Sequence, residues 1–502
     1  MTFVARNAAT GEALAPTYSD ATPAEISAVA DAALGAADAF AATSPETRAV
    51  LLETIADEIM ARSAALIERA HLETGLPVAR LEGERNRTMG QMRSYAALLR
   101  EGSWVDARID PALPDRKPIP RPDLRRMLRS IGPVAVFGAS NFPFAYSVAG
   151  GDTASALAAG NPVVIKAHPA HPGVSDITAE AIRAALKKNN LPPAIFGMVH
   201  GASPDVSLAL VRHPAIAAVG FTGSTRAGRA LFDAAASRPK PIPVFSEMSS
   251  LNPVVLLPEA LEQRGDAIAE GFVSSCTLGM GQFCTKPGLV FGIASPAWEK
   301  FAATVGARIG AVSPGVMLHA GIRASYDRMV GDLRDVEWLG RSGAHVARVD
   351  AATFLNRPEL AHEIFGPFSL LITAKDSTEL LALLQPLDGQ LTACVHGTPS
   401  ELNSAHELMS LLAQKAGRLV CNGFPTGVEV SPAMNHGGPY PATTDVRFTA
   451  VGTAAILRFA RPVCYQSFPA ALLPPALRDE NPLGILRQVD GKHTHDPIQP
   501  AA

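Results

Sequence analysis

From residue 131 onward the chain alternates short apolar runs with longer stretches in which apolar residues recur every three or four positions. The runs at 134–137, 162–166, 196–199, 217–221 and 242–245 are rich in β-branched or aromatic residues and predict buried strands. Between them, 147–159, 175–188, 205–212 and 225–236 have helical spacing. Continuous apolar strands separated by amphipathic helices are the sequence form of a parallel sheet covered on both faces. Crossovers in such units are right-handed, so the loops that follow the strands gather at one edge. Asn141, Lys166, Gly223 and Glu247 each closely follow a predicted strand and are expected there together.

Upstream, residues 1–21 read as an extended lead-in. Thr22-Pro-Ala-Glu25 then supplies a cap residue, a first-turn proline and a first-turn acid. Helical spacing follows at 26–42, 46–63, 63–73 and 81–99. Residues 106–126 are rich in proline and charge and predict a connecting arm. A second α/β block runs from about 251 to 437, and the tail after Phe459 has little strand or helix period. Residues 131–151 lack charge and are long enough to cross a bilayer, but four glycines, two prolines and an asparagine favour strand, turn and buried helix start.

A chain of 502 residues exceeds one simple core, so two or three domains are expected. With 44 basic and 47 acidic residues it carries no basic excess for nucleic acid or an anionic membrane. The N-terminus has no charged-then-apolar signal design, and a soluble cytoplasmic protein is expected. Five cysteines without a CxxC or a His–Cys metal spacing imply reduced thiols and no metal site.

One of these thiols stands apart. Gly281-Gln-Phe-Cys284-Thr-Lys-Pro-Gly288 sets Cys284 in a turn whose backbone amides can face a reacting atom. A reactive thiol needs partial access and a lowered pKa, and this turn is expected to supply both. Cys276, Cys394, Cys421 and Cys464 lie in apolar or strand-like surroundings and read as small hydrophobes. Glu247, flanked by Val244, Phe245 and Met248, reads as a partly buried carboxylate with a raised pKa, suited to act as a base. Phe221-Thr-Gly223-Ser224-Thr-Arg226-Ala-Gly228 reads as strand, turn and helix start, where free N–H groups and the helix dipole suit a pyrophosphate.

Asn141-Phe-Pro, Phe221-Thr-Gly-Ser, Ser246-Glu-Met, Gly281-Gln-Phe-Cys284-Thr and Glu363-Ile-Phe-Gly-Pro occur in the order and approximate spacing of the aldehyde dehydrogenase superfamily, which the chain resembles from about Thr22 to about Phe459. The resemblance implies an α/β fold with a Rossmann-type nucleotide-binding domain (1–111 and 131–250), a catalytic thiol domain (251–437) and oligomerising segments (112–130 and 438–502). It implies a homodimer or homotetramer that oxidises an aldehyde with NAD(P). Cys284 is then the nucleophile, Glu247 the base for thioester hydrolysis, and Asn141 the amide donor to the developing oxyanion. Lys166, His168, Gly223, Ser224, Glu363 and Phe365 are the implied cofactor residues, with Arg226 and His200 as further phosphate candidates. NAD-preferring relatives often carry a glutamate three residues after the lysine, and Pro169 stands there instead, so NADP, or use of both, is expected over strict NAD.

Two departures bear on detail. The usual Glu-Leu-Gly-Gly is replaced by Glu247-Met-Ser249-Ser250, and the commoner Pro-Phe-Gly-Gly loop by one that carries His436-Gly-Gly-Pro439-Tyr-Pro441. With Arg461-Pro-Val-Cys464-Tyr-Gln-Ser-Phe468 and Asn481-Pro-Leu-Gly, the latter resembles the branch that oxidises α-ketoglutaric semialdehyde (2,5-dioxopentanoate). Arg447 and Phe142 are the candidate substrate residues. A fatty-aldehyde specificity, or a non-catalytic structural relative, are the alternatives.

Overall fold

The computed structural model describes residues 1–499. Its first sheet has five parallel strands in the order Phe196–Val199, Val163–Lys166, Val134–Phe137, Ala218–Thr222 and Val244–Glu247. Side chains alternate across a strand, and both faces here are apolar. Val134 and Val136 enter one core with helices Gly151–Ala158 and Pro172–Lys188. Ala135 and Phe137 enter the opposite core with helices Pro23–Ala41, Pro204–Arg212 and Thr225–Ala236. The predicted start of the first helix is a full capping box: Thr22 accepts from Glu25 N–H, and the Glu25 carboxylate accepts from Thr22 N–H.

The second sheet has seven strands, in the order Glu337–Arg341, His345–Asp350, Phe368–Ala374, Leu289–Ile293, Val254–Leu256, Gln390–His396 and Ala416–Cys421. Only the first pair is antiparallel. Its two faces also bury separate cores, Leu289 and Phe291 on one side and Val290 on the other.

The third sheet departs from the local pattern of the sequence. Leu124–Ser130, in the proline-rich arm, pairs antiparallel with Ala460–Gln466 and with Arg108–Asp110. Arg487–Val489 and Lys492–Thr494, from the tail, complete it. Arg461 and Pro462 erase the apolar period, so these strands exist through long-range pairing rather than local propensity. The uncharged stretch 131–151 resolves into strand Val134–Phe137, turns, and the start of a helix at Gly151. Among the described residues no helix is long and apolar enough to cross a membrane.

Candidate active site

The carboxyl edge of the first sheet faces the segments that lead into the second. A cleft of about 620 Å³ lies between them. Asn141, Phe142, His168, Gly223, Ser224, Glu247, Cys284, Glu363 and Phe365 all line it, far apart in sequence but brought to one edge by topology. Lys166 is not on its wall. It ends strand Val163–Lys166 with its side chain buried, and burial draws its ammonium pKa down to about 8. Burial also holds His168 well below the usual imidazole value, and the nearby His171 and Lys166 charges add to this.

The Cys284 turn is fixed from several sides. Gly281 has φ of +62°, and a Cβ there would lie 2.4 Å from the carbonyl oxygen of Gly366. Asn252 donates its side-chain amide to the carbonyls of Cys284 (2.8 Å) and Lys286 (2.9 Å). Asn141 Nδ2 donates to the carbonyl of Gln282 at 2.9 Å, which ties the first-sheet loop to the thiol turn. The buried Lys286 ammonium donates to the carbonyls of Ile364 (3.0 Å) and Phe368 (2.5 Å), on either side of Phe365, and so joins the same turn to the Glu363 loop.

The two serines in place of glycines also have visible work. Ser250 donates to Asn252 Oδ1 (2.9 Å) and accepts from Leu391 N–H (2.9 Å), which braces the asparagine that holds Cys284. Ser249 accepts from Thr225 N–H at 3.3 Å, and Ser224 caps the same helix by accepting from Ala227 N–H. Two of the amides expected to be free for a pyrophosphate therefore have internal partners. Gly223 N–H is likewise taken by the Glu247 carbonyl at 3.0 Å, which leaves its close backbone approach as its contribution.

Glu247 ends strand Val244–Glu247 and is 3% exposed. Its Oε1 lies 2.9 Å from His436 Nε2, and that nitrogen lies 3.6 Å from Cys284 Sγ. Glu247 Oε2 is buried without a hydrogen-bond partner among the described residues. Both expected pKa directions are reversed. Burial pushes the Glu247 carboxyl up, but His436, the Cys284 thiol and the Arg458 charge together outweigh it and leave the group below its ordinary value. Burial raises the Cys284 thiol well above its usual value, and the Glu247 and Glu363 carboxylates raise it further against Arg87. The site therefore rests as a protonated thiol beside an ionised carboxylate, with the proton acceptor already in place.

Glu363 stands across the cleft. Burial pushes its carboxyl up to about 7, opposed by the Ser249 hydroxyl, the Lys286 charge and the Ser250 amide. Arg447 does not enter the site: its side chain is 75% exposed and paired with Asp445 at 2.5 Å, so a local ion pair holds it on the surface. His200 pairs with Asp176 at 2.8 Å rather than facing the cleft, whereas Arg226 lines it. Cys276 is fully buried beside Ser369 (3.0 Å), a packed thiol as its sequence context suggests.

Sequence reasoning missed three contributors. His436 carried a visible signal, an imidazole where the commoner loop has an aromatic hydrocarbon. Asn252 carried little beyond a Ser-Leu-Asn-Pro turn. Arg87, on helix Val78–Glu101, carried none, yet its guanidinium lies 5.3 Å from the Tyr146 ring, its buried Nε has no partner among the described residues, and its charge reaches Cys284.

The aldehyde dehydrogenase family profile matches residues 1–322, more than half of the sequence. The chain belongs to the aldehyde dehydrogenase family. It is 52% identical to alpha-ketoglutaric semialdehyde dehydrogenase 2 of Azospirillum brasilense, over 95% of this chain and 93% of that protein. It is 47% identical to alpha-ketoglutaric semialdehyde dehydrogenase of Acinetobacter baylyi, over 98% and 97%. Aldehyde dehydrogenase C of Pseudomonas syringae, solved with NAD+ and octanal, shares the fold with a TM-score of 0.78 at 23% identity, over 94% of this chain and 95% of that one. This aldehyde dehydrogenase is accordingly an NAD(P)-dependent oxidoreductase.

Proposed function

We propose that this aldehyde dehydrogenase oxidises 2,5-dioxopentanoate to 2-oxoglutarate, with Cys284, Glu247 and Asn141 as its catalytic residues. The observation that carries the substrate is the pair of relatives at 52% and 47% identity, both named for α-ketoglutaric semialdehyde and both aligned over nearly their whole length.

The cleft fits a dinucleotide. It holds a helix N-terminus at Ser224, the Arg226 cation, the Glu363 carboxylate and the Phe365 ring, with the Lys166 cation beneath. A bound nicotinamide supplies the hydride acceptor. Glu363 would hold its ribose and Phe365 would shelve the ring. Lys166, with no carboxylate at Pro169, favours a 2′-phosphate, and NADP is the preferred form in this reading.

Cys284 Sγ attacks the aldehyde carbon as Glu247 takes the thiol proton. The oxygen that gains charge is met by the Cys284 N–H and the Asn141 amide, once the latter turns from the Gln282 carbonyl. Glu247 gives the thiol proton to solvent; after oxidation water attacks the thioester carbon and passes a proton to Glu247, and the C–S bond breaks with its electron pair on sulfur, which is reprotonated. Arg87, which the Phe142 and Tyr146 rings flank at 6.0 and 5.3 Å, is the cation suited to the far carboxylate of the substrate. In this reading 1–111 with 131–250 serve the cofactor, 251–437 carry the thiol, and 112–130 with 438–502 form a bridging arm, in a homodimer or homotetramer in the cytoplasm.

The test is the rate of reduced-cofactor formation with 2,5-dioxopentanoate, succinic semialdehyde, hexanal and decanal, each with NAD and NADP. The highest kcat/KM is expected for the dioxo acid. A higher value for decanal would refute the substrate assignment.

A further inference from the structure

His436 is the one buried titratable side chain that touches both reacting groups and has no part in the reaction as described, among the described residues. It is 1% exposed, with Nε2 at 2.9 Å from Glu247 Oε1 and 3.6 Å from Cys284 Sγ. Its backbone is pinned: its N–H donates to Thr449 Oγ1 at 2.9 Å and its carbonyl accepts from Ala450 N–H at 2.8 Å. The two glycines that follow permit no other side chain. A Cβ at Gly437 would lie 2.6 Å from the Phe448 oxygen, and one at Gly438 (φ +157°) would lie 2.1 Å from the Gln390 oxygen. The loop is thus pressed against the thiol site at a single setting.

The hydrogen bonds choose the tautomer. His436 Nδ1 is buried with no partner among the described residues. A proton on Nδ1 alone would leave a donor unsatisfied and set the Nε2 lone pair against a carboxylate lone pair. A proton on Nε2 satisfies Glu247 Oε1 and leaves only an acceptor idle. A phenyl ring, as in the commoner Pro-Phe-Gly-Gly loop, can do neither.

We propose that His436 is a positioning residue for Glu247: its Nε2–H binds Oε1 and turns the carboxylate so that Oε2 receives the proton in the hydrolytic step. This rests on the proposed cysteine chemistry. In that step the water oxygen bonds to the thioester carbon while one water proton passes to Oε2. The C–S bond then breaks with its electron pair on sulfur, which regains a proton as Cys284 is released.

The other charges around Glu247 cannot replace His436. Arg458 is committed to Asp152 at 2.7 Å, Tyr146 is a neutral phenol, and Cys284 is itself a reactant. Arg87 and Glu363 lie beyond the thiol and act on it instead. Without His436, only the Cys284 thiol and the Arg458 charge oppose burial at the Glu247 carboxyl, so the base is protonated at a higher pH than in the intact site.

A cofactor-free acyl transfer isolates this step. The Cys284 sulfur takes the acetyl group of 4-nitrophenyl acetate, 4-nitrophenolate leaves with the bonding pair, and the thiol proton goes to Glu247. Decay of the acetyl-Cys284 peptide is then followed by acid quench and mass spectrometry across neutral pH for the wild type, H436F, H436Q and E247Q. Thermal melts confirm that each variant is folded. The wild type is expected to decay at a rate nearly independent of pH. H436F is expected to decay about ten-fold more slowly near the acid end and to recover toward wild type at the alkaline end, one unit of carboxyl shift being a factor of ten. H436Q, whose amide keeps a donor, should stay close to wild type, and E247Q, acetylated beforehand at alkaline pH where hydroxide takes the thiol proton, should be slow throughout. A flat H436F profile, a uniform loss at every pH, or an H436Q profile matching H436F would each overturn the inference. A wild type that takes no acetyl group on Cys284 refutes the cysteine chemistry and removes the ground for both.

Discussion

Lys166 offers a quantitative test of cofactor choice. Its side chain is 8% exposed, it ends the second strand of the first sheet, and its ammonium, drawn down to about 8 by burial, is favoured by the Asp20 charge. A 2′-phosphate at about 4 Å would be attracted by about 4 kcal/mol per unit of negative charge at an effective dielectric of about 20. Desolvation of both ions reduces this to about 1–3 kcal/mol, or about 5- to 150-fold in kcat/KM for NADP. The Lys166→Ala variant should lose that factor with NADP and only about threefold with NAD, for which the lysine is at most a neutral-partner donor. The sign of the pH effect follows from the same group. The cation is present below about 8 and lost above it, so wild-type kcat/KM for NADP should fall as pH rises through that value while NAD is little affected. Initial rates at subsaturating cofactor measure both. Equal losses for the two cofactors, or an NADP profile flat through pH 8, would show that Lys166 does not select the 2′-phosphate.

Asn141→Ala should reduce kcat about 10²- to 10³-fold with KM little changed, as loss of one oxyanion donor does, and steady-state rates at saturating aldehyde will show it. Lys286→Met removes the donor to two buried carbonyls while relieving a buried charge; a net loss of about 2–4 kcal/mol is expected in urea unfolding. Arg87→Met should raise KM for 2,5-dioxopentanoate about ten-fold or more without a comparable effect on decanal, whereas Arg447→Ala, on the surface, should leave both within about twofold.

Much of this was legible in the chain. Continuous apolar runs such as 134–137 and 162–166 need only local composition to declare a two-sided parallel sheet, and the topology rules then bring Asn141, Gly223 and Glu247 to one edge. Cys284 stood out through its turn residues. The third sheet was hidden because Ala460–Gln466 owes its form to Leu124–Ser130, more than three hundred residues away, and not to its own period. The pKa directions were hidden for a related reason. Val244, Phe245 and Met248 correctly indicate burial, but the sign for Glu247 is set by His436, 189 positions later in sequence, and by Arg458. Arg447 was the converse: an isolated cation in sequence that Asp445, two residues before it, already holds.

In the proposed reaction the Cys284 sulfur carries the substrate and Glu247 releases it. Mixing the E247Q variant with 2,5-dioxopentanoate and NADP at alkaline pH, where hydroxide takes the thiol proton in place of Glu247, then quenching in acid and mapping peptides by mass spectrometry, separates the two roles. An oxidised acyl group that accumulates on the peptide containing Cys284, with one equivalent of reduced cofactor and none on the peptide containing Cys276, is the predicted result. Reduced cofactor formed with Cys284 unmodified, or an acyl group on another cysteine, would contradict it.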